Sequence, residues 1–148
     1  MTNLNKPSTI ERTIAITEIH QVLHRYCILA RENAPFHEMK DLFLPDGIFR
    51  LPNGTAVAPQ DMGNVVQGKP PQMIRHHITS IDVQFVGPRN ASTKSLFLAM
   101  THRSRIDHWG YWQDDFQLDE QGNWLIAERM IVVEGQDPAG WYADTYCA

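Results

Sequence analysis

The feature that most constrains this chain is a change of period. Between Ile16 and Ala30 apolar side chains recur every three or four positions, at Ile16, Ile19, Leu23, Tyr26 and Ala30, with Val22 beside them. From about His76 onward they alternate, with Ile81, Val83 and Phe85 set against Ser80, Asp82 and Gln84. The first spacing draws one stripe along a helix and the second one face of a strand. A chain that carries both in this order is predicted to be α+β, with N-terminal helices covering a sheet.

Local signals divide it further. Ser8 or Thr9 with Glu11 suits the start of a first helix of about six turns, which Pro35 interrupts. A second helix is predicted over Phe36 to Leu44, and Pro45-Asp46-Gly47 then turns the chain into Ile48, Phe49 and Leu51. Asn53-Gly54 marks a small hairpin, and a third short helix is expected from Pro59 to about Gln67. A meander follows: a strand ending at Gly87-Pro88-Arg89-Asn90, then strands over Lys94 to Arg105, Tyr111 to Leu118 and Trp124 to Val133. The 148 residues suit one domain, with residues 1–9 and 135–148 expected to be tails.

Composition removes several classes of function. The net charge is -4 with no cluster of lysine and arginine, which argues against nucleic acid as a partner. No apolar run approaches the roughly 20 residues that span a bilayer, and the first residues lack a leader's apolar stretch, so no membrane partner and a cytoplasmic location are expected. Cys27 and Cys147 are expected to be free thiols. His20, His24 and Cys27 share a helix flank, but no carboxylate or further histidine joins them, so no metal is expected. Without a glycine-rich phosphate loop or a nucleophile elbow, no cofactor is expected either.

Three stretches carry a resemblance: Glu18-Ile19-His20-Gln21-Val22-Leu23-His24-Arg25-Tyr26, Asp41-Leu42-Phe43-Leu44-Pro45-Asp46-Gly47-Ile48-Phe49, and Arg75-His76-His77-Ile78-Thr79-Ser80. With the closing Gly122-Asn123-Trp124-Leu125-Ile126-Ala127, their order and spacing resemble the SnoaL-like group of the NTF2-like superfamily, over roughly residues 10 to 134. The resemblance implies a cone: N-terminal helices packed on a strongly curved antiparallel sheet that encloses a pocket for a small, mostly apolar molecule. It also implies association as a homodimer through the convex sheet face.

The resemblance places His76 where scytalone-dehydratase-like and dehydrochlorinase-like relatives carry a catalytic histidine. Regular alternation would set His76 on one face with Ile78, Ser80 and Asp82, and a neutral imidazole there could take a proton near pH 7. His102 is the second catalytic candidate. It is expected on the next strand with Leu96, Leu98 and Met100, where an ionisable group is costly unless paired or used. Tyr26 matches the tyrosine ending the group's first-helix pattern and could bond a substrate oxygen or pack in the core. Tyr111 and Trp112 occupy opposite faces of one strand, so one of them lines the pocket. Met100 and Phe49 are expected against the substrate.

The chain departs from the group five residues after Tyr26, where Arg31 stands in place of an aspartate that pairs with the histidine, followed by Glu32. Glu32 could take that role, His102 could pair with His76, Arg31 could stabilise an oxyanion, or Arg31 could simply be a solvated helix-end residue. Asp114-Asp115 and the Arg103 to Asp107 segment are expected to form cross-strand salt links. The resemblance thus implies a cofactor-independent lyase or isomerase, of dehydratase, cyclase or double-bond-shifting type, acting on a small, mostly apolar molecule, for example an aromatic or polyketide-like one. The alternatives are a non-catalytic ligand binder and a small structural subunit of a dioxygenase-like complex.

Overall fold

A computed structural model describes residues 7–65 and 68–147. Helix α1 (Thr9–Leu29) begins in a capping box. The Ser8 hydroxyl accepts from the Glu11 amide, and the Glu11 carboxylate accepts from the Ser8 amide, which satisfies two of the orphan donors at the helix start. Its buried stripe runs through Ala15, Ile19, Leu23, Tyr26 and Leu29. A short α2 (Phe36–Met39) and a single 3-10 turn (Lys40–Leu42) replace the longer second helix expected from the sequence.

Strand β1 (Phe43–Arg50) already contains Pro45-Asp46-Gly47, which form a bulge rather than a turn. Between the pairs Phe43–Ile126 and Ile48–Glu128 the ladder shifts. A Cβ on Gly47 would lie 2.9 Å from the Leu44 carbonyl oxygen, so the bulge requires glycine there. The Asn53-Gly54 hairpin forms as expected and leads into β2 (Ala56–Val57), with Gly54 at φ +86°. A 3-10 segment (Pro59–Asn64) occupies the place of the third helix, and the last two residues of that expectation, Val66 and Gln67, lie outside the described residues.

The meander comprises β3 (Ile74–Gly87), β4 (Asn90–Thr101), β5 (His108–Leu118) and β6 (Trp124–Gln136), in the sheet order β2-β1-β6-β5-β4-β3. Every pairing is antiparallel except β1 with β6, which is parallel. The sheet is therefore mixed and open, its two edges being β2 and β3. Helix α1 packs across its concave side on β3 and β6, and the core lies between them, from Ile19 and Leu23 to Phe97, Trp112, Phe116 and Ile126. Residues 135–147 are not a tail. They finish β6 and form α3 (Trp141–Tyr146), which folds back on the sheet's end. Among the described residues no helix is long and apolar enough to cross a membrane.

Candidate functional site

His76 lies on the concave face near the start of β3, half-buried. Its neighbours on that face differ from the expectation, because the β3–β4 ladder shifts between Ile78 and Ser80. Thr79 and Ser80 are both exposed, and the inward positions continue at Ile81, Val83 and Phe85. One inserted residue thus moves the rest of the strand to the other parity. The inward set is His76, Ile78, Ile81, Val83 and Phe85.

The end of α1 orients the His76 ring. The Ala30 carbonyl, at the helix C-cap, lies 3.0 Å from Nδ1. A carbonyl only accepts, so Nδ1 carries the proton and Nε2 is left with the lone pair. Glu32 fixes the distance between the two elements: its Oε2 accepts from the Ile74 amide at 3.1 Å and from Arg75 Nη1 at 2.6 Å. Those hydrogen bonds, the one from Arg75 first, hold the Glu32 carboxyl at a pKa of about 2.

Rings surround His76. Its centroid is 5.9 Å from Phe97, 5.8 Å from Trp112 and 6.0 Å from His108, while Phe97 stacks on Trp112 at 5.0 Å. The inward positions of β4 are small apart from Phe97 (Ala91, Thr93, Ser95, Ala99 and Thr101), which leaves room for these rings. Burial, together with the neighbouring His108, pushes the His76 pKa down to about 4, against the opposing pull of the Ala30 carbonyl. The imidazole is therefore neutral at pH 7.

Deeper in the site, the wholly buried Arg129 sits with its guanidinium carbon 4.0 Å from the Tyr26 ring centre and 4.4 Å from that of Trp112. Asp114, its cross-strand partner, takes two parallel hydrogen bonds from Nε and Nη2, each 2.7 Å. Burial works against the charged guanidinium, but the Asp114 carboxylate outweighs it and raises the Arg129 pKa. Among the described residues the third nitrogen, Nη1, makes no hydrogen bond of good geometry, although the Tyr26 side chain also supports the charge, and the buried Ser95 hydroxyl makes none either. Unsatisfied polar atoms at such depth are rare.

His108 opens β5 and is 4% exposed. Its Nδ1 lies 2.9 Å from Oδ1 of the fully buried Asp107. Asp107 also accepts from the Thr101 hydroxyl at 2.7 Å, the Trp141 amide at 2.6 Å and the Tyr142 amide at 3.0 Å. Burial would raise its pKa, but those four bonds prevail and hold it below the ordinary value. For His108, burial outweighs Asp107 and lowers the pKa. Tyr142 stacks on the imidazole with centroids 4.6 Å apart.

Of the residues singled out in the sequence, the structure brings together His76, Tyr26 and Trp112. Tyr111 faces outward, its ring 4.0 Å from the Lys94 ammonium, so Trp112 is the one on the concave side. His102 is displaced from its expected position: β4 ends at Thr101, and His102 stands exposed in the following turn. The apolar series Leu96, Leu98 and Met100 belongs to the outer face, which also removes Met100 from the concave side. Arg31 is exposed at the helix end, Glu32 ties α1 to β3, and Phe49 packs edge-on to Phe43 in the core. Asp114 does form a cross-strand ion pair.

His108, Asp107, Phe97 and Arg129 are the site residues that the sequence reading missed. Starting the fifth strand at His108 instead of Tyr111 would have set His108 in phase with Trp112, Asp114 and Phe116. For Arg129 the sequence carries no such signal, because the ladder shift opposite Asp115 and Phe116 changes the phase of β6 between Ile126 and Arg129. Two surface hollows, of about 740 and 420 Å³, lie elsewhere, and neither is lined by His76 or His108.

The SnoaL-like domain family matches residues 11–130. No curated protein sequence matches the chain. Among solved structures it is similar to a scytalone dehydratase-like protein from Novosphingobium aromaticivorans DSM 12444, at 17% identity and a TM-score of 0.70, over 88% of this chain and 91% of that one. It is also similar to a hexachlorocyclohexane dehydrochlorinase (LinA-type3) from Novosphingobium barchaimii LL02, at 10% identity and a TM-score of 0.73, over 88% and 93%. A third likeness is to a protein assigned as the beta subunit of an aromatic-ring-hydroxylating dioxygenase from N. aromaticivorans, at 15% identity and a TM-score of 0.67, over 85% and 93%. At these identities the neighbours establish the fold, while the family match covers most of the sequence: the chain belongs to the SnoaL-like domain family.

Proposed function

We propose that the protein is a cofactor-independent lyase or isomerase, with His76 as general base toward a small, mostly apolar molecule. The observation that carries this reading is the state of His76. Its tautomer is fixed by the Ala30 carbonyl, its Nε2 makes no hydrogen bond among the described residues, and its ring sits in an aromatic wall of Phe97 and Trp112. Such a group takes a proton from a carbon acid without a metal. The buried charge of Arg129, whose Nη1 makes no hydrogen bond of good geometry among the described residues, suits an oxygen or halide on which negative charge develops. The activities named for two structural neighbours, a scytalone dehydratase-like protein and a hexachlorocyclohexane dehydrochlorinase, are both eliminations, which supports this choice.

The test is elimination from scytalone, from hexachlorocyclohexane and from a set of cyclic β-hydroxy ketones, with deuterium uptake from D2O as a second readout of proton abstraction. Wild type is expected to act on at least one of them, and His76→Ala to be slower by about 100-fold or more with an unchanged circular dichroism spectrum. A wild-type protein inert toward all of them, or a variant as fast as wild type, overturns the assignment. Binding without chemistry is the second reading, favoured by the uncharged carbonyl that stands where a catalytic carboxylate would face His76. It would show as ligand-induced stabilisation with no turnover. We also propose a homodimer through the convex face, where Leu96 and Trp109 remain 40% and 41% exposed.

A further inference from the structure

Asp107 accepts four hydrogen bonds, two at each oxygen, which uses the whole acceptor capacity of an ionised carboxylate. Nδ1 of His108 must then be the protonated nitrogen, and Nε2 is the atom left for chemistry. His76 is in the same condition, with Nδ1–H spent on Ala30 and Nε2 making no hydrogen bond among the described residues. The two imidazoles stand 6.0 Å apart and share one ring, Phe97, at 5.9 Å from His76 and 6.1 Å from His108. They differ in what supports a positive charge. His76 has a neutral carbonyl behind it, whereas His108 has a carboxylate.

We propose that Asp107–His108 is a second proton-transfer site of this protein, with His108 as the general acid opposite His76 and Asp107 as its positioning residue. This rests on the preceding assignment of His76 as the base and adds the group that receives the leaving oxygen. In an elimination, His76 Nε2 would take the proton of the breaking C–H bond, whose electron pair forms the C=C bond. As the C–O bond breaks, the leaving oxygen would take the proton from His108 Nε2 and depart as water. His76 ends protonated and His108 neutral, and transfer of that proton back from His76 to His108 restores the starting state. Burial holds His108 below the ordinary imidazole value, but the Asp107 carboxylate behind it, where His76 has only a carbonyl, draws the single proton to His108 rather than His76 and gives the return step its direction.

The ionisable groups around His108 are Asp107 beside it, His76 from β3 and Tyr142 from α3; Arg129 from β6 and His77 from β3 act on His76. The active form needs His108 protonated and His76 neutral. Its pH profile should therefore be a bell, with the alkaline limb belonging to His108. Asp107 also receives the first amides of α3, so a merely structural latch is the competing account.

The experiment measures kcat and KM against pH on the substrate identified for wild type, in His108→Gln and Asp107→Asn. His108→Gln is expected to lower kcat by about 100-fold, to leave KM within about twofold, and to remove the alkaline limb. Asp107→Asn is expected to move that limb to lower pH, because an amide no longer stabilises the imidazolium, and long-range 15N spectra should show loss of the fixed Nδ1–H tautomer of His108. Should His108→Gln fail to fold, the displaced limb in Asp107→Asn decides. Unchanged kcat and limb in the variants, with His76→Ala inactive, overturns the second site and spares the base. A lowered melting temperature in Asp107→Asn without movement of the limb reduces Asp107 to a latch and overturns the proposal. Inert wild type defeats the preceding reading and this one with it.

Discussion

At the scale of single residues, the site is governed by what stands behind each ionisable group. An imidazole drawn out of water loses its proton unless something nearby supports the charge, and the half-buried His76 has only a backbone carbonyl. This has a consequence for stability. The pKa of His76 is about 4 in the folded chain against an ordinary 6.5, so the unfolded chain binds the proton more readily. Stability is then fully present above pH 6.5 and is lost as pH falls toward 4, by on the order of 3 kcal/mol at most. Urea unfolding at pH 7 and pH 4.5 checks this: His76→Gln should lose distinctly less stability between the two than wild type. An identical loss in both would contradict it. Arg129 illustrates the same rule with the opposite outcome, since two parallel bonds to Asp114 keep a wholly buried guanidinium charged.

At the scale of elements, the ladder shifts in β1, β3, β5 and β6 decide which residues face the concave side. The strands follow their sequence alternation until an extra residue resets the phase, as at Thr79. Such insertions also bend the strand and increase its twist, which is how an open sheet curves around α1. Gly110 beside one of these shifts is the sharpest case. A Cβ there would lie 2.0 Å from the Val132 carbonyl oxygen, which belongs to the backbone and has little room to yield. Gly110→Ala should destabilise the fold by about 3 kcal/mol or more, visible as a much lower melting temperature. A variant that melts with wild type would show that β5 and β6 part more easily than their pairing implies. Two further positions are decided at this scale: β4 ends at Thr101, which leaves His102 in the turn, and Met100 faces outward because from Leu96 onward the outer positions of β4 are the apolar ones while the inward ones, apart from Phe97, are small or polar.

At the scale of the whole molecule, the outward series Leu96, Leu98 and Met100 and the exposed Trp109 suggest what the convex face does. If it joins two copies, sedimentation should give twice the 17.0 kDa chain mass, and Leu96→Asp with Trp109→Asp should return the monomer. A wild-type monomer at high concentration would refute the pairing. The sequence by itself determined the class of the fold, the capped first helix, the Asn53-Gly54 hairpin and the meander, because helix period, caps and turn residues act within a few positions of one another. It also pointed to His76 and Tyr26 through a local pattern. The tertiary structure alone decided that His108 faces His76, that Arg129 lies buried against Asp114, and that the last residues close on Asp107. Those contacts join residues 15 to 35 positions apart across ladders whose phase is reset by bulges, and no local rule fixes where a bulge falls.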